Sequence, residues 1–169
     1  FVMAVINTKN IHRTNALLGH AWGTDFTYDE KMTCGDGESG KRRAVKMQRQ
    51  ARLQNFLLWF RPTRALLRYF VLPKPGEGPN LEQRTNGRYD VLFIGETADK
   101  KTVKVSVAGD RDPGYGSTAK MISQSALCLA QDVDHSMTAG GVWTPGSAMG
   151  ATLIQRLEKY AGLTFKVER

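Results

Sequence analysis

Hydrophobic and polar residues alternate in two neighbouring stretches of the chain and recur at helical spacing in two others. The run 102–108 alternates valines with polar or small residues, which is typical of a strand with one buried face. The run 89–96 has strand character too, and a short polar turn separates it from 102–108, so an antiparallel hairpin is predicted. Apolar residues then follow a helical period over 117–130 and 145–160. Together these patterns predict an α+β fold, with a mixed or largely antiparallel sheet and helices packed on one face.

Weaker patterns predict further helices and strands in the rest of the chain. The stretch 2–18 resembles a polar-faced helix, and a short alternating strand is predicted over 26–32. Thr144, followed by a proline, predicts the start of the last helix. Gly162 is predicted to end that helix before a final short strand at 163–167.

A glycine-rich acidic loop, 109–116, joins the second predicted strand to the helix that follows. Three glycines and a proline exclude regular structure there, and Ser117 or Thr118 is expected to cap the helix. The unpaired N–H groups of a helix start favour an anionic ligand, but a plain strand-to-helix connection is the other interpretation. The loop lacks a P-loop lysine and the dinucleotide-binding spacing. Arg111 lies between Asp110 and Asp112, which favours ordinary ionised carboxylates, and no catalytic residue is predicted.

Positive charge is concentrated in one segment. Ten Lys or Arg and no Asp or Glu lie between Ser39 and Gly76, whereas the rest of the chain holds 14 basic and 16 acidic residues. Periodicity over 41–72 predicts a basic amphipathic pair of helices joined by a kink at Pro62, and 73–79 is a proline- and glycine-rich connector.

Arginines beside large aromatic residues are typical of a membrane-surface helix or a partner groove. The alternative is an amphipathic pair packed on its own domain, and nucleic acid is a weaker option because no recognised nucleic-acid module accompanies the charge. The predicted membrane or partner surface consists of Arg49, Arg52, Trp59, Arg61, Arg64, Arg68 and Phe70.

The remaining composition narrows the class of protein. A hydrophobic content of 41% and a charged content of 24% are globular values, and no apolar run is long enough to cross a bilayer. Two cysteines and three scattered histidines predict neither a disulfide framework nor a metal site. With no visible signal peptide, an intracellular reducing compartment is expected, cytoplasmic or organellar, with the mitochondrion among the options, and not secretion.

Four separated motifs carry a family resemblance. They are INTKNIHRTNALLG, FIGET, GDRDPGYGSTAKM and GGVWTPGSAMGATLIQRLEKYAGLTF, in that order along the chain. They resemble the C-terminal half of saccharopine dehydrogenase-like oxidoreductases, a family that includes trans-acting enoyl reductases. The resemblance implies that 1–169 is a single C-terminal, substrate-side domain of a two-domain oxidoreductase. The N-terminal Rossmann domain that binds NADP in that family has no counterpart in this sequence.

The resemblance also implies a substrate cleft built from the shared motifs. The candidates are Asn7, Thr8, His12, Asn15, Asp110, Arg111, Asp112, Gly114, Tyr115, Gly116, Trp143 and Thr144. Local backbone bonding is an equal alternative for the polar residues of 7–15, and simple helix capping is an equal alternative for Thr144.

Two functions remain open from the sequence. By resemblance, the complete protein would be an NADP-dependent, enoyl-reductase-like oxidoreductase of a lipid-like or polyketide-like acyl substrate. Its Rossmann half would be a partner on the same or a separate chain, and this chain alone would be inactive and bind no NADP, since it contains no GxGxxG after a strand. The alternative is a non-catalytic accessory subunit, held through the basic segment to a larger protein assembly or an anionic membrane.

Overall fold

A computed structural model of the protein describes residues 3–134, 136 and 138–168. The elements within these residues are α1 (Ala4–Leu17), α2 (Gly37–Trp59), α3 (Arg61–Phe70), α4 (Leu81–Asn86), β1 (Tyr89–Glu96), β2 (Thr102–Gly109), α5 (Gly116–Gln131), α6 (Pro145–Tyr160) and β3 (Leu163–Glu168). They divide into two compact units. Among the described residues, the helical unit comprises 3–4 and Asp29–Gly78, and the sheet unit comprises Val5–Tyr28 and those from Pro79 onward.

The sheet has three antiparallel strands in the order β1-β2-β3. In its register, Val91 lies opposite Val107, and Val107 lies opposite Phe165 on the other side. Side chains of adjacent strands in such a row point to the same face of the sheet. The predicted α+β class and the predicted hairpin are therefore confirmed.

The core of the sheet unit lies where α5 and α6 cover one face of this sheet. Leu153 and Leu157 on α6 pack with Leu163 of β3, and Val107 and Phe165 contact the same cluster from the sheet. The buried hydrophobic residues are Cys128, Met149, Leu153, Leu157, Ala161 and Leu163. Each buried leucine contributes roughly 1.5–3 kcal/mol relative to exposure in water, so a few side chains supply much of this unit's stability.

Among its described residues, the helical unit contains no comparable cluster. The only buried residue of α2 is Gly40, and no residue of α3 is buried. The hydroxyl of Thr63 donates to the carbonyl oxygens of Leu57 and Phe60, which ties the start of α3 to the end of α2. No helix in the described part of the chain is long and apolar enough to span a bilayer.

Several local predictions were wrong. Residues 26–32 form no strand, because their alternation meets no partner strand in the described sheet. The predicted pair of helices over 41–72 is confirmed as α2 and α3, but the break between them lies at Phe60, with φ −75° and ψ 118°, and Pro62 lies in the first turn of α3. Neither Ser117 nor Thr118 caps α5, whose N-cap residue is Tyr115 with no side-chain cap bond. Helix α1 begins at Ala4, and Val2 of its predicted span lies outside the described residues.

Candidate functional site

The loop between β2 and α5 is held closed by its own aspartate. The carboxylate of Asp112 accepts backbone N–H bonds from Gly114 at 3.0 Å, Tyr115 at 2.8 Å and Gly116 at 2.8 Å. The bond from Gly116 has the largest effect on the pKa of Asp112 and the bond from Tyr115 the next largest, and both lower it. The carboxylate of Asp112 is therefore ionised at neutral pH. The N–H groups that could receive an anionic ligand are thus occupied by a side chain of the same loop.

Close backbone approaches fix the position of this loop. A Cβ on Gly162, which has φ +73°, would clash with the carboxylate of Asp110, and a Cβ on Gly109 would clash with the ring of Tyr89. The N–H of Asp110 donates to the carbonyl of Gly162 at 3.2 Å, and that of Asp112 donates to the carbonyl of Arg84 on α4 at 3.2 Å. Arg88 also donates to the backbone carbonyl of Asp110.

Two polar atoms in this loop are buried without a hydrogen-bond partner among the described residues. They are Oδ1 of Asp110 and Nε of Arg111. The other carboxylate oxygen of Asp110 lies 3.5 Å from Nζ of Lys120. Unpaired buried polar atoms are uncommon in folded proteins and cost free energy, so their presence calls for an explanation. The adjacent hydroxyl pair, Tyr89 and Ser117 at 2.9 Å, is fully satisfied, and Ser117 is inaccessible to solvent.

A second polar cluster joins α1 to the start of α6. The hydroxyls of Thr14 and Thr144 lie 2.7 Å apart, and Thr144 forms a capping box with Ser147 at the first turn of α6. The amide of Asn15 donates to the carbonyl of Gly23 at 2.8 Å and accepts from the N–H of Trp22 at 3.0 Å. Each named group in this cluster therefore has a structural partner.

The other predicted cleft residues lie on α1 or directly before α6. The ring of His12 packs edge-on against Phe26 with centroids 5.7 Å apart, and the indole N–H of Trp143 donates to the carbonyl of Ala139 at 2.7 Å. Asn7 and Thr8 are half-buried on α1. These contacts support the interpretation of helix positioning at least as well as that of ligand binding.

The predicted cleft residues consequently form two groups rather than one. The loop 109–116 contacts Gly162, just beyond the C-terminal end of α6, whereas Thr14 contacts Thr144 at the N-terminal end of the same helix. Helix α6 is not one continuous straight helix, because Gly150 within it has the non-helical values φ 46° and ψ −129°. Each group contacts a different end of this interrupted helix.

Sequence reasoning missed several residues that build these clusters. Arg84, Lys120 and Tyr89 contact the loop through their backbone or side chains, and α4 itself was not predicted. The pair Asn80 and Gln83, which forms a capping box at the start of α4, was a signal visible in the sequence. No such local signal marks Tyr89 or Lys120, because their roles depend on the tertiary structure.

Metal binding has no candidate in the described residues, where no three His, Cys, Asp or Glu side chains come together. Both cysteines are free thiols. Burial raises the pKa of the Cys128 thiol most, and the nearby charge of Asp132 raises it further. The thiol of Cys128 is therefore a poor nucleophile at neutral pH.

Comparisons with known proteins identify relatives along the whole chain. A Mycobacterium tuberculosis protein provisionally named a trans-acting enoyl reductase is 33% identical over 180 residues, which cover 100% of this chain and 41% of the relative. The trans-acting enoyl reductases of Mycobacterium ulcerans and Mycobacterium bovis are each 34% identical over 161 residues, covering 93% of this chain and 38% of the relative. No protein-family model matches the chain, and no solved structure does.

The chain is an α+β domain whose relatives are named as reductases, a class of oxidoreductase. More narrowly, the chain is homologous along its whole length to the trans-acting enoyl reductases, and the recognition made from the sequence motifs is confirmed to that extent. The chain spans about two fifths of the length of the curated relatives it matches.

Proposed function

We propose that this chain is the substrate-side domain of an NADP-dependent, enoyl-reductase-like oxidoreductase that acts on a lipid-like or polyketide-like acyl substrate. The observation that carries the proposal is homology over the whole chain to proteins named trans-acting enoyl reductases. The likeness of its motifs to saccharopine dehydrogenase-like proteins supports the assignment of cofactor binding to a separate Rossmann half. The reduced cofactor, NADPH, would supply the hydride when bound by that half.

Within this proposal, the loop 109–116 is the better candidate for the substrate side. Its Asp110 and Arg111 retain buried polar atoms that lack partners among the described residues, so a substrate or the cofactor-binding half could complete their bonding. The cluster of Thr14 and Thr144 is already satisfied internally and is assigned a structural role. Asp112 is assigned to loop geometry, since three backbone N–H groups hold its carboxylate.

Kinetics of the full-length protein that contains this chain would test both the function and the choice of cluster. NADPH oxidation would be measured with trans-2-enoyl thioesters of several chain lengths. We expect Arg111→Gln to lower kcat/KM at least about tenfold, the scale of one lost charge-assisted hydrogen bond. Thr14→Val should lower stability with less than about a twofold change in kcat/KM, because its partner is the structural cap Thr144.

Three results would each contradict part of this proposal. The isolated chain should show no micromolar binding of NADPH in a fluorescence titration, and such binding would contradict the assignment of the cofactor to another half. Failure of the full-length protein to reduce any enoyl thioester would reject the reductase proposal. If reduction occurs but Thr14→Val impairs it more than Arg111→Gln does, the loop is not the substrate side.

A second candidate function is that of an accessory subunit without catalysis. The specific observation in its favour is that Arg49, Arg52, Arg61, Arg64 and Arg68 are all exposed. Within the described residues, none of them has a carboxylate at ion-pair distance. These charges are therefore open to solvent and available to an anionic partner. The same kinetic experiment separates the candidates, since an accessory subunit would leave enoyl thioesters unreduced.

A further inference from the structure

Helix α3 has a basic face and an opposite apolar face, and both are exposed. At about 100° per residue, Arg61, Arg64 and Arg68 fall on one side of the helix, while Leu66 and Phe70 fall on the other. The exposed fraction is 60% for Leu66 and 71% for Phe70. An amphipathic helix normally buries its apolar face against its own domain. In this structure the apolar face of α3 remains in contact with solvent.

Exposed apolar residues also lie at the end of α2. Leu53, Phe56 and Trp59 are exposed there, and Trp59 has an exposed fraction of 76%. Thr63 fixes the connection between the two helices through its bonds to Leu57 and Phe60. The exposed apolar residues of α2 and α3 thus belong to one connected segment, residues 53–72, which we call the elbow.

The charge of this elbow is unbalanced. Its three cations, Arg61, Arg64 and Arg68, form no ion pair within the described residues, and it contains no acidic residue. The wider stretch from Ser39 to Gly76 holds ten cations and no acidic residue. The ion pairs found in the helical unit join Lys31 to Asp29 and Lys41 to Glu38, both before the elbow. A partner of negative charge would therefore complement this surface.

We propose that the elbow, residues 53–72, binds the surface of an anionic lipid bilayer. Trp59, Leu66 and Phe70 would enter the boundary between headgroups and acyl chains, about 5–10 Å deep, and the arginines would contact the lipid phosphates. Arginine side chains are long enough to reach the headgroups while their stems cover apolar surface. An acidic protein would explain the cations, but a bilayer also explains why large aromatic and aliphatic residues stay exposed beside them.

Vesicle binding by this chain would test the proposal directly. Cosedimentation would be measured with vesicles of phosphatidylcholine alone and with vesicles containing phosphatidylserine. We expect binding only to the anionic vesicles, weakening as salt is raised from low to physiological concentration and beyond. Equal binding to both compositions, or to neither at low salt, would overturn the proposal.

Matched variants separate a specific surface from general positive charge. Each arginine near the anionic surface should contribute about fivefold to binding. The triple variant Arg61→Gln, Arg64→Gln, Arg68→Gln should therefore weaken partitioning onto anionic vesicles on the order of a hundredfold. The triple variant Lys100→Gln, Lys101→Gln, Lys104→Gln removes the same charge from exposed positions of the sheet unit. It should change partitioning less than about threefold, and equal losses in the two triple variants would show that only net charge matters.

The apolar contribution needs its own measurement. Leu66→Ser with Phe70→Ser should weaken partitioning at least about tenfold at unchanged charge. Anionic vesicles should shift tryptophan emission of the wild-type chain to shorter wavelength, and Trp59→Phe should abolish that shift while Trp22 and Trp143 remain. If polyglutamate competes for binding and the shift never occurs, the partner is an acidic protein and the bilayer proposal is wrong. Circular dichroism of each variant verifies that its helices are intact.

Discussion

The sheet unit buries some of its hydrophobic residues in a core, whereas the described part of the helical unit has no buried hydrophobic residue. In the sheet unit, α5 and α6 turn Cys128, Leu153 and Leu157 inward onto the sheet, and each of these residues is buried. In the helical unit, residues of equal hydrophobicity such as Leu66 and Phe70 are exposed. Burial stabilises the first unit, whereas exposure of the second leaves its apolar groups available for binding. Hydrophobic periodicity alone does not distinguish the two uses.

The largest expected difference comes from the same substitution in each unit. Leu157→Ala should lower the free energy of unfolding of the sheet unit by about 2–5 kcal/mol, because Leu157 is only 7% exposed and the substitution leaves a cavity. Leu66→Ala should change stability by no more than about 0.5 kcal/mol. Urea denaturation, followed by tryptophan fluorescence in a Trp59→Phe background and by circular dichroism, would measure both. Equal destabilisation by the two variants would show that α3 has a buried face.

A glycine pair gives the next largest effect. Gly162 and Gly76 both have left-handed backbone conformations, with φ +73° and +88°, but only Gly162 faces a carboxylate where its Cβ would lie. Gly76→Ala should cost about 1–2 kcal/mol from backbone strain alone. Gly162→Ala should cost at least about 1 kcal/mol more, since Asp110 must also move. Thermal unfolding of the two variants tests this order, and a smaller cost at Gly162 would mean that the loop yields easily.

The smallest effect on stability is expected from modifying Cys34. This half-buried thiol lies in the helical unit, whereas Cys128 is completely buried in the core and has its pKa raised by burial. N-Ethylmaleimide should label Cys34 in the folded chain without shifting the unfolding midpoint of the sheet unit. Mass spectrometry of peptides should find Cys128 labelled only in urea. Labelling of Cys128 at the native rate of Cys34 would contradict the comparison.

The fold of the sheet unit was largely predictable because its signals are local. The hairpin followed from two alternating runs separated by a short turn, and the start of α6 followed from Thr144 and the proline after it. The predicted strand at Phe26 failed because alternation predicts a strand only where another strand can pair with it. The division into two units also lacked a local signal, since it depends on which residues contact one another in three dimensions.

The candidate site was less predictable than the fold. The composition of the glycine-rich loop predicted the loop itself. The hydrogen bonds from its backbone N–H groups to Asp112 could not be predicted, because they depend on the backbone conformation and not on residue spacing. The resemblance placed Thr144 and Arg111 in one cleft, yet α6 holds them near its opposite ends. Which cleft residues contact substrate therefore stays a prediction, and the kinetic variants decide it.

The helical unit also interrupts the sheet unit in sequence. The chain leaves the sheet unit after Tyr28 and re-enters it at Pro79, so nearly all of the helical unit is an insertion. The entropy of closing a loop rises only slowly with its length, which makes insertions of this size thermodynamically cheap. Replacing the stretch between those two points by another ordered segment of similar length should therefore leave the core of the sheet unit intact.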